Sequence, residues 1–310
     1  MNISYRLHLP ALREFIDDFL LVLERDGKSG RTVTNYKQPL VMFWRWLVAN
    51  NLPVDITAIT EEQLSQYIVA RRRDGITNAS LRTHLTAFRV FFKWLVEQGY
   101  IDVSPAAKIK RPKSEQHTLN ILSPEQVAKM IESCPAHTDT GERNRAIILL
   151  LYDTGLRASE LCSLVVSDVD LRSRELTVMG KGKKQRMVAI SEKTRAQLWR
   201  YLTHHRPDKS GDDHLFITRF GTPLEYTVLH RLVSTAGKRA GITGVRCSPH
   251  TLRHAFSTQM APLIDVYDLM MLLGHANIQT TARYVHPHPK QVIERQRKKA
   301  LGDKLNVKLR

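Results

Sequence analysis

The sequence predicts a mainly α-helical protein of two domains, the first all-helical and the second mixed α+β with one small antiparallel sheet. Three observations predict it. The 310 residues exceed the usual size of one compact domain, and two halves of that length can each bury a core. Apolar residues recur at helical spacing over most of the chain. The clear departure is a pair of short runs, Glu175-Leu-Thr-Val-Met179 and Arg186-Met-Val-Ala-Ile190, around the turn Gly180-Lys-Gly182, which read as a β-hairpin.

The first domain is assigned to residues 1–106. Between Leu12 and Gly99, helical segments are separated by polar or Gly/Pro breaks near Asp26 to Gly30, Asn50 to Pro53 and Asp74 to Asn78. Its last helix carries Leu81, Leu85, Phe88, Phe91, Phe92 and Leu95 on one stripe, and Arg82, Thr86, Arg89 and Lys93 on another face. The apolar stripe packs. The polar face either meets phosphate or is a solvated charged surface. Lys28, Arg31 and Lys37 are grouped with it as candidate contacts to a polyanion.

Residues 107–121 read as an interdomain linker. Lys108, Lys110, Arg111 and Lys113 crowd around Ile109 and Pro112, and a polar stretch then leads to Leu122-Ser-Pro-Glu125, a helix-start signal. Such a segment is either a plain solvated tether or a basic strap that lies on a phosphate backbone while two domains close around a duplex. The second domain, residues 122–310, is helical apart from the hairpin. It ends in a basic tail, Lys290 to Arg310, with a helical pattern over Gln291 to Leu301.

Lys and Arg number 47 against 30 Asp and Glu, a formal charge of +17. This excess predicts a polyanionic partner, and nucleic acid or an anionic membrane surface would satisfy it equally. No apolar run is long enough to span a bilayer, and the N-terminus lacks the order of a secretory signal. The expected location is therefore the cytoplasm. Cys134, Cys162 and Cys247 are odd in number and form no CxxC pair, which argues against a disulfide framework and against structural zinc. They are read as buried, reduced thiols.

Four signals in the second domain carry chemistry. In Thr154-Gly-Leu-Arg157-Ala-Ser-Glu160-Leu, an arginine set between apolar strips needs an anionic partner; Glu160 could serve internally, which leaves a buried salt bridge as the alternative. Lys181 sits between two glycines at the hairpin tip, where a phosphate can approach closely, although exposed basic hairpins are common. In Ser248-Pro-His250-Thr-Leu-Arg253-His254, a helix start brings His250, Arg253 and His254 toward one face. A zinc site there lacks a third ligand and the glutamate of the metalloprotease motif. In Leu272-Leu-Gly-His275, followed by Ala-Asn-Ile-Gln-Thr-Thr-Ala-Arg-Tyr284, a histidine precedes a tyrosine across a turn and a helix start. A tyrosine is most often a packing residue, and a phenol, with a pKa of about 10, becomes a useful nucleophile only beside a base and positive charge.

Together the four make chemical sense that none has alone. Two arginines can bracket the non-bridging oxygens of a phosphodiester, a tyrosine can attack phosphorus in line, a lysine can protonate the departing oxygen, and histidines can handle the phenol proton and the phosphate.

The order and wording of these motifs closely resemble the tyrosine recombinase, or phage integrase, family, above all its compact Xer-like members. The resemblance extends over nearly the whole chain, and the first half is similar to the family's SAM-like helical core-binding domain. It implies that Arg157 and Arg253 clamp the scissile phosphate, Tyr284 forms a 3′-phosphotyrosyl link, Lys181 is the general acid, His250 assists proton transfer at the nucleophile and His275 supports the phosphate. Glu160 would hold Arg157. It further implies that Lys108, Lys110 and Arg111 join Lys28, Arg31, Lys37, Arg82, Thr86, Arg89 and Lys93 on DNA, that no cofactor and no metal is needed, and that a dimer per double-stranded site pairs into a tetramer exchanging strands through a Holliday junction. A second recombinase or an accessory protein would fit the same scheme. The basic tail resembles the family's docking helix. Type IB topoisomerase-like nicking and resealing, and a catalytically silent DNA-binding relative, are the competing readings.

Overall fold

Ser29, Thr60 and Thr77 each place a hydroxyl one residue ahead of a helix, where it accepts a backbone N–H that has no partner inside the helix. Ser29 and Thr77 fall in the breaks read from sequence, and Thr60 lies seven residues beyond the break ending at Pro53. The three caps start α2 (Gly30–Ala49), α3 (Glu61–Arg73) and α4 (Asn78–Glu97), which follow α1 (Leu12–Arg25). The computed structural model describes residues 12–112, 120–180, 185–207, 213–275, 277–282 and 284. The chain divides into two compact units, Met1–Thr118 and Leu119–Arg310.

In the first unit, α1 turns Leu12, Phe15, Ile16, Phe19, Leu20 and Leu23 inward, the spacing of a single helix face. That face meets the stripe of α4, where Leu81, Leu85, Phe88, Phe91, Phe92 and Leu95 are fully covered. Phe19 packs edge-on to Phe91 at 5.4 Å between ring centres, and Phe43 of α2 lies 5.2 Å from Phe88. Each aromatic so buried stabilises the unit by roughly 1.5–3 kcal/mol. Ala106 and Ile109 close the same core, so the chain stays packed on this unit into the first part of the segment read as a linker.

The second unit is built around α6 (Asp139–Thr154), whose Ala146, Ile147, Ile148, Leu150 and Leu151 are fully covered. Helix α5 (Pro124–Glu132), capped by Ser123 as its sequence announces, packs on one side of it. After α6 come α7 (Ala158–Ser163), β1 (Val169–Asp170), β2 (Glu175–Met179) and β3 (Gln185–Ala189). The hairpin strands pair antiparallel in the register Leu176 with Val188 and Val178 with Arg186. The two-residue β1 adds a third strand beside β2, beyond the expected hairpin. The chain continues through α8 (Glu192–Arg200), α9 (Tyr226–Arg239), α10 (Pro249–Met260), α11 (Val266–Leu273) and α12 (Ile278–Ala282). Ser248 caps α10 and Pro249 occupies its first turn, so the helix start expected at His250 is present.

Two glycines in left-handed conformation set up the site. Gly155 ends α6 at φ 61°, and a Cβ there would lie 2.3 Å from the ring of Phe256 on α10. Gly274 ends α11 at φ 60°, and a Cβ there would meet the guanidiniums of Arg186 at 3.0 Å and Arg157 at 3.3 Å. Both the backbone conformation and the close approach call for glycine.

Candidate active site

The turn after α6 delivers Arg157 to the start of α7, where Glu160 folds back on it. The Arg157 backbone N–H and its Nη1 each donate to the Glu160 carboxylate at 2.8 Å. Arg186, pointing inward from β3, donates to both oxygens of the same carboxylate at 2.9 and 2.8 Å, and its Nε donates to the Leu272 carbonyl at 2.8 Å. Burial alone would raise the Glu160 carboxyl; the hydrogen bonds and charges of Arg186 and Arg157 overcome it and hold the group below its ordinary value. The salt bridge left open by sequence is therefore real, and it still leaves Arg157 a second N–H face. Nη2 donates to the Gly274 carbonyl at 2.7 Å, and the side chain remains partly open to the pocket.

Arg253, buried on α10, reaches both glycine-ended turns. Its Nη1 donates to the Gly155 carbonyl and its Nη2 to the Leu273 carbonyl, each at 2.6 Å. Nη2 also lies 2.9 Å from His275 Nε2. A guanidinium can only donate, so Nε2 of His275 accepts, and its hydrogen sits on Nδ1, which faces the Thr281 hydroxyl of α12 at 2.8 Å. This fixes the ring. Burial, followed by the like charge of Arg157, pushes the Arg253 guanidinium down to about 10. An anion placed here would relieve that cost.

Tyr284 is covered, and its hydroxyl lies 2.6 Å from Nδ1 of His254. His254 in turn faces His250 through their Nε2 atoms at 2.8 Å. His250 is the exposed member of the pair. The sequence reading put His250 at the nucleophile; the structure places His254 between them.

Arg157, Arg253, His250, His254 and His275 line one pocket of about 810 Å³, together with Arg246 and with Tyr226 and His230 of α9. Among the described residues lining it there is no Asp or Glu. A cationic, hydrogen-bond-donating hollow of this kind suits a phosphodiester. Lys181, Lys113 and the tail from Lys290 to Arg310 lie outside the described residues. Among the described residues no group of His, Cys, Asp and Glu could hold a metal ion, and no helix is long and apolar enough to cross a membrane.

In the first unit, Thr32, Asn35 and Tyr36 of α2 and Arg82, Thr83 and Thr86 of α4 line a polar groove of about 470 Å³. Lys28, Arg31 and Lys37 are exposed on and just before α2, as are Lys108, Lys110 and Arg111 farther along the chain. Lys93 is exposed and pairs with Glu97 at 3.3 Å. Arg89 departs from the expected phosphate face. Its Nη2 donates to the Ile109 carbonyl at 2.6 Å and its Nε faces the Ala106 carbonyl at 3.5 Å, so it ties α4 to the chain that follows.

Arg186, Thr281 and the contact of His254 with Tyr284 were not identified from sequence. Arg186 did leave a signal: alternation with Val188 and Ile190 puts a charge on the inward face of its strand.

Residues 120–291 match the phage integrase family, and residues 16–99 match the phage integrase N-terminal SAM-like domain. The chain is 30% identical over 277 residues to tyrosine recombinase XerC of Xylella fastidiosa, covering 89% of this chain and 92% of the relative. It is 30% identical over 282 residues to tyrosine recombinase XerD of Listeria monocytogenes, covering 89% and 94%. In fold it is similar to the integrase of transposon Tn1549 in complex with transposon right-end DNA, with a TM-score of 0.77, 17% identity and coverage of 94% of this chain and 100% of that one.

Proposed function

The chain belongs to the phage integrase family and is a tyrosine recombinase, an enzyme of site-specific DNA cleavage and rejoining, and from that premise we propose that Tyr284 is its nucleophile. Arg157 and Arg253 hold the non-bridging oxygens of the scissile phosphate, and His275, fixed between Arg253 and Thr281, supports the same group. The phenolic oxygen of Tyr284 attacks phosphorus and the bond to the 5′-oxygen breaks, leaving a 3′-phosphotyrosyl link. Lys181 protonates the departing oxygen. The link conserves the phosphodiester, so rejoining to another 5′-hydroxyl needs no nucleotide cofactor.

One observation carries the reading: residues from four separate stretches, Arg157, His250 with Arg253, His275 and Tyr284, converge on a single pocket and its immediate wall. The partner is a double-stranded recombination site in the cytoplasm, bound by a dimer and paired into a tetramer that exchanges strands through a Holliday junction. Lys28, Arg31, Lys37, Arg82, Thr86, Lys93, Lys108, Lys110 and Arg111 supply backbone contacts. The test is incubation with a suicide substrate carrying the target site, followed by a denaturing gel. Wild type gives a covalent protein–DNA adduct and Tyr284→Phe gives none while still binding DNA. An adduct formed by Tyr284→Phe would remove the nucleophile assignment.

A further inference from the structure

Resting on the reading of Tyr284 as nucleophile, we infer that His254 is a further catalytic residue, which takes the phenol proton as Tyr284 attacks and relays a proton to His250. The contact that matters is direct: Tyr284 Oη lies 2.6 Å from His254 Nδ1, and His254 Nε2 lies 2.8 Å from His250 Nε2. The two histidines present Nε2 to Nε2 at 2.8 Å, so one of those atoms carries a hydrogen and the other accepts it. If the phenol donates to Nδ1, a neutral His254 holds its hydrogen on Nε2 and gives it to His250 Nε2, and His250 holds its own on Nδ1. Every link then has one donor and one acceptor, running from the covered Tyr284 to the exposed His250.

The step balances. The bond from Oη to phosphorus forms as the bond from phosphorus to the 5′-oxygen breaks. The Oη proton moves to His254 Nδ1 while the His254 Nε2 proton moves to His250 Nε2. His254 ends neutral and His250 ends as an imidazolium at the pocket. The 5′-oxygen takes its proton from a separate acid, and rejoining reverses each transfer. Among the described residues around the relay, His275 faces Arg253 and Thr281, His230 lies beside the Tyr226 ring, and Glu160 is held by Arg157 and Arg186. Arg157, Arg246 and Arg253 line the same pocket and, as guanidiniums, accept no proton.

The test is single-turnover adduct formation by the full chain across pH, with wild type, His254→Ala, His254→Gln and Tyr284→Phe side by side. His254→Ala is expected to slow the adduct by about 100-fold, to make the rate climb more steeply with pH, and to be partly rescued by added imidazole. A substrate with a bridging 5′-thiolate, whose sulfur leaves without an acid, should not rescue it. His254→Gln keeps a hydrogen-bonding side chain but cannot relay, and should be slow at an unchanged Tm. Wild-type rates and pH profiles in both variants would overturn the relay. So would a faster His254→Ala, which would make His254 a latch on the resting tyrosine. So would slowness tied to a lower Tm in both variants with no response to imidazole. An inactive Tyr284→Phe alongside fully active His254 variants would sink the relay alone; an active Tyr284→Phe would sink the nucleophile reading beneath it.

Discussion

Arg186 and Glu160 meet through two hydrogen bonds of 2.9 and 2.8 Å, and the carboxylate they share is the one that also receives Arg157. One buried anion thus holds two cations from different parts of the chain, the start of α7 and the strand leading out of the hairpin. Arg186 extends the tie to the Leu272 carbonyl at the end of α11, just before the turn that carries His275. The position of Arg157 is therefore coupled to both the sheet and the histidine turn.

Glu160→Gln is expected to destabilise the second unit by about 3 kcal/mol, because it leaves two close guanidiniums without their shared anion. Thermal unfolding should register a fall of several degrees, and the adduct rate should drop as Arg157 loses its anchor. A variant with unchanged Tm would mean that the carboxylate's burial cost cancels what it contributes.

The same pair gives a pH signature. Glu160 lies below its ordinary value of 4.5 in the folded chain, so the unfolded chain takes up its proton first as pH falls. Its contribution is present above 4.5 and is lost as pH falls through the lowered folded value. The Tm gap between wild type and Glu160→Gln should accordingly be constant near neutrality and close in acid. A gap that keeps its full size down to acid unfolding would contradict the lowered value.

Much of this architecture is legible in the sequence because its signals are local. The stripe from Leu81 to Leu95 follows the helical period, and Ser29, Thr60, Thr77, Ser123 and Ser248 mark helix starts by chemistry confined to a few residues. Arg157, Arg253, His275 and Tyr284 each sit in a short readable motif, but Tyr284 becomes more than a packing residue only when the four motifs are taken together. Contacts between distant segments are not local. Which histidine touches Tyr284 depends on how the chain after α12 folds back on α10, and no spacing within His250 to His254 decides it. A two-residue strand such as β1 exists only through its pairing with β2. Spacing puts Arg89 on the polar face of α4 but cannot reveal that the Ala106 and Ile109 carbonyls lie within its reach.

The two helix-ending glycines should fail differently when replaced by alanine. Both pay for a left-handed backbone, about 1–2 kcal/mol. At Gly155 the added carbon also strikes the Phe256 ring at 2.3 Å inside a packed contact with α10, so Gly155→Ala should lose several degrees of Tm. At Gly274 the nearest atoms are the far ends of Arg186 and Arg157, at 3.0 and 3.3 Å, which can move. Gly274→Ala should keep more of its Tm than Gly155→Ala and lose proportionally more adduct rate. The reverse ranking of stability would show that the arginine ends cannot yield.

Arg82 and Arg89 lie seven residues apart on α4 in different surroundings, and salt dependence can tell apart the tasks these suggest. Arg82 lines the polar groove, so Arg82→Ala should weaken DNA binding and reduce the slope of log affinity against log salt by about 1, the value for one phosphate contact. Arg89 donates to backbone carbonyls, so Arg89→Ala should cost roughly 1–3 kcal/mol of stability and leave that slope unchanged. Measuring affinity over a range of salt, with Tm for each variant, separates the two. A slope that falls in Arg89→Ala at an unchanged Tm would return Arg89 to the phosphate face.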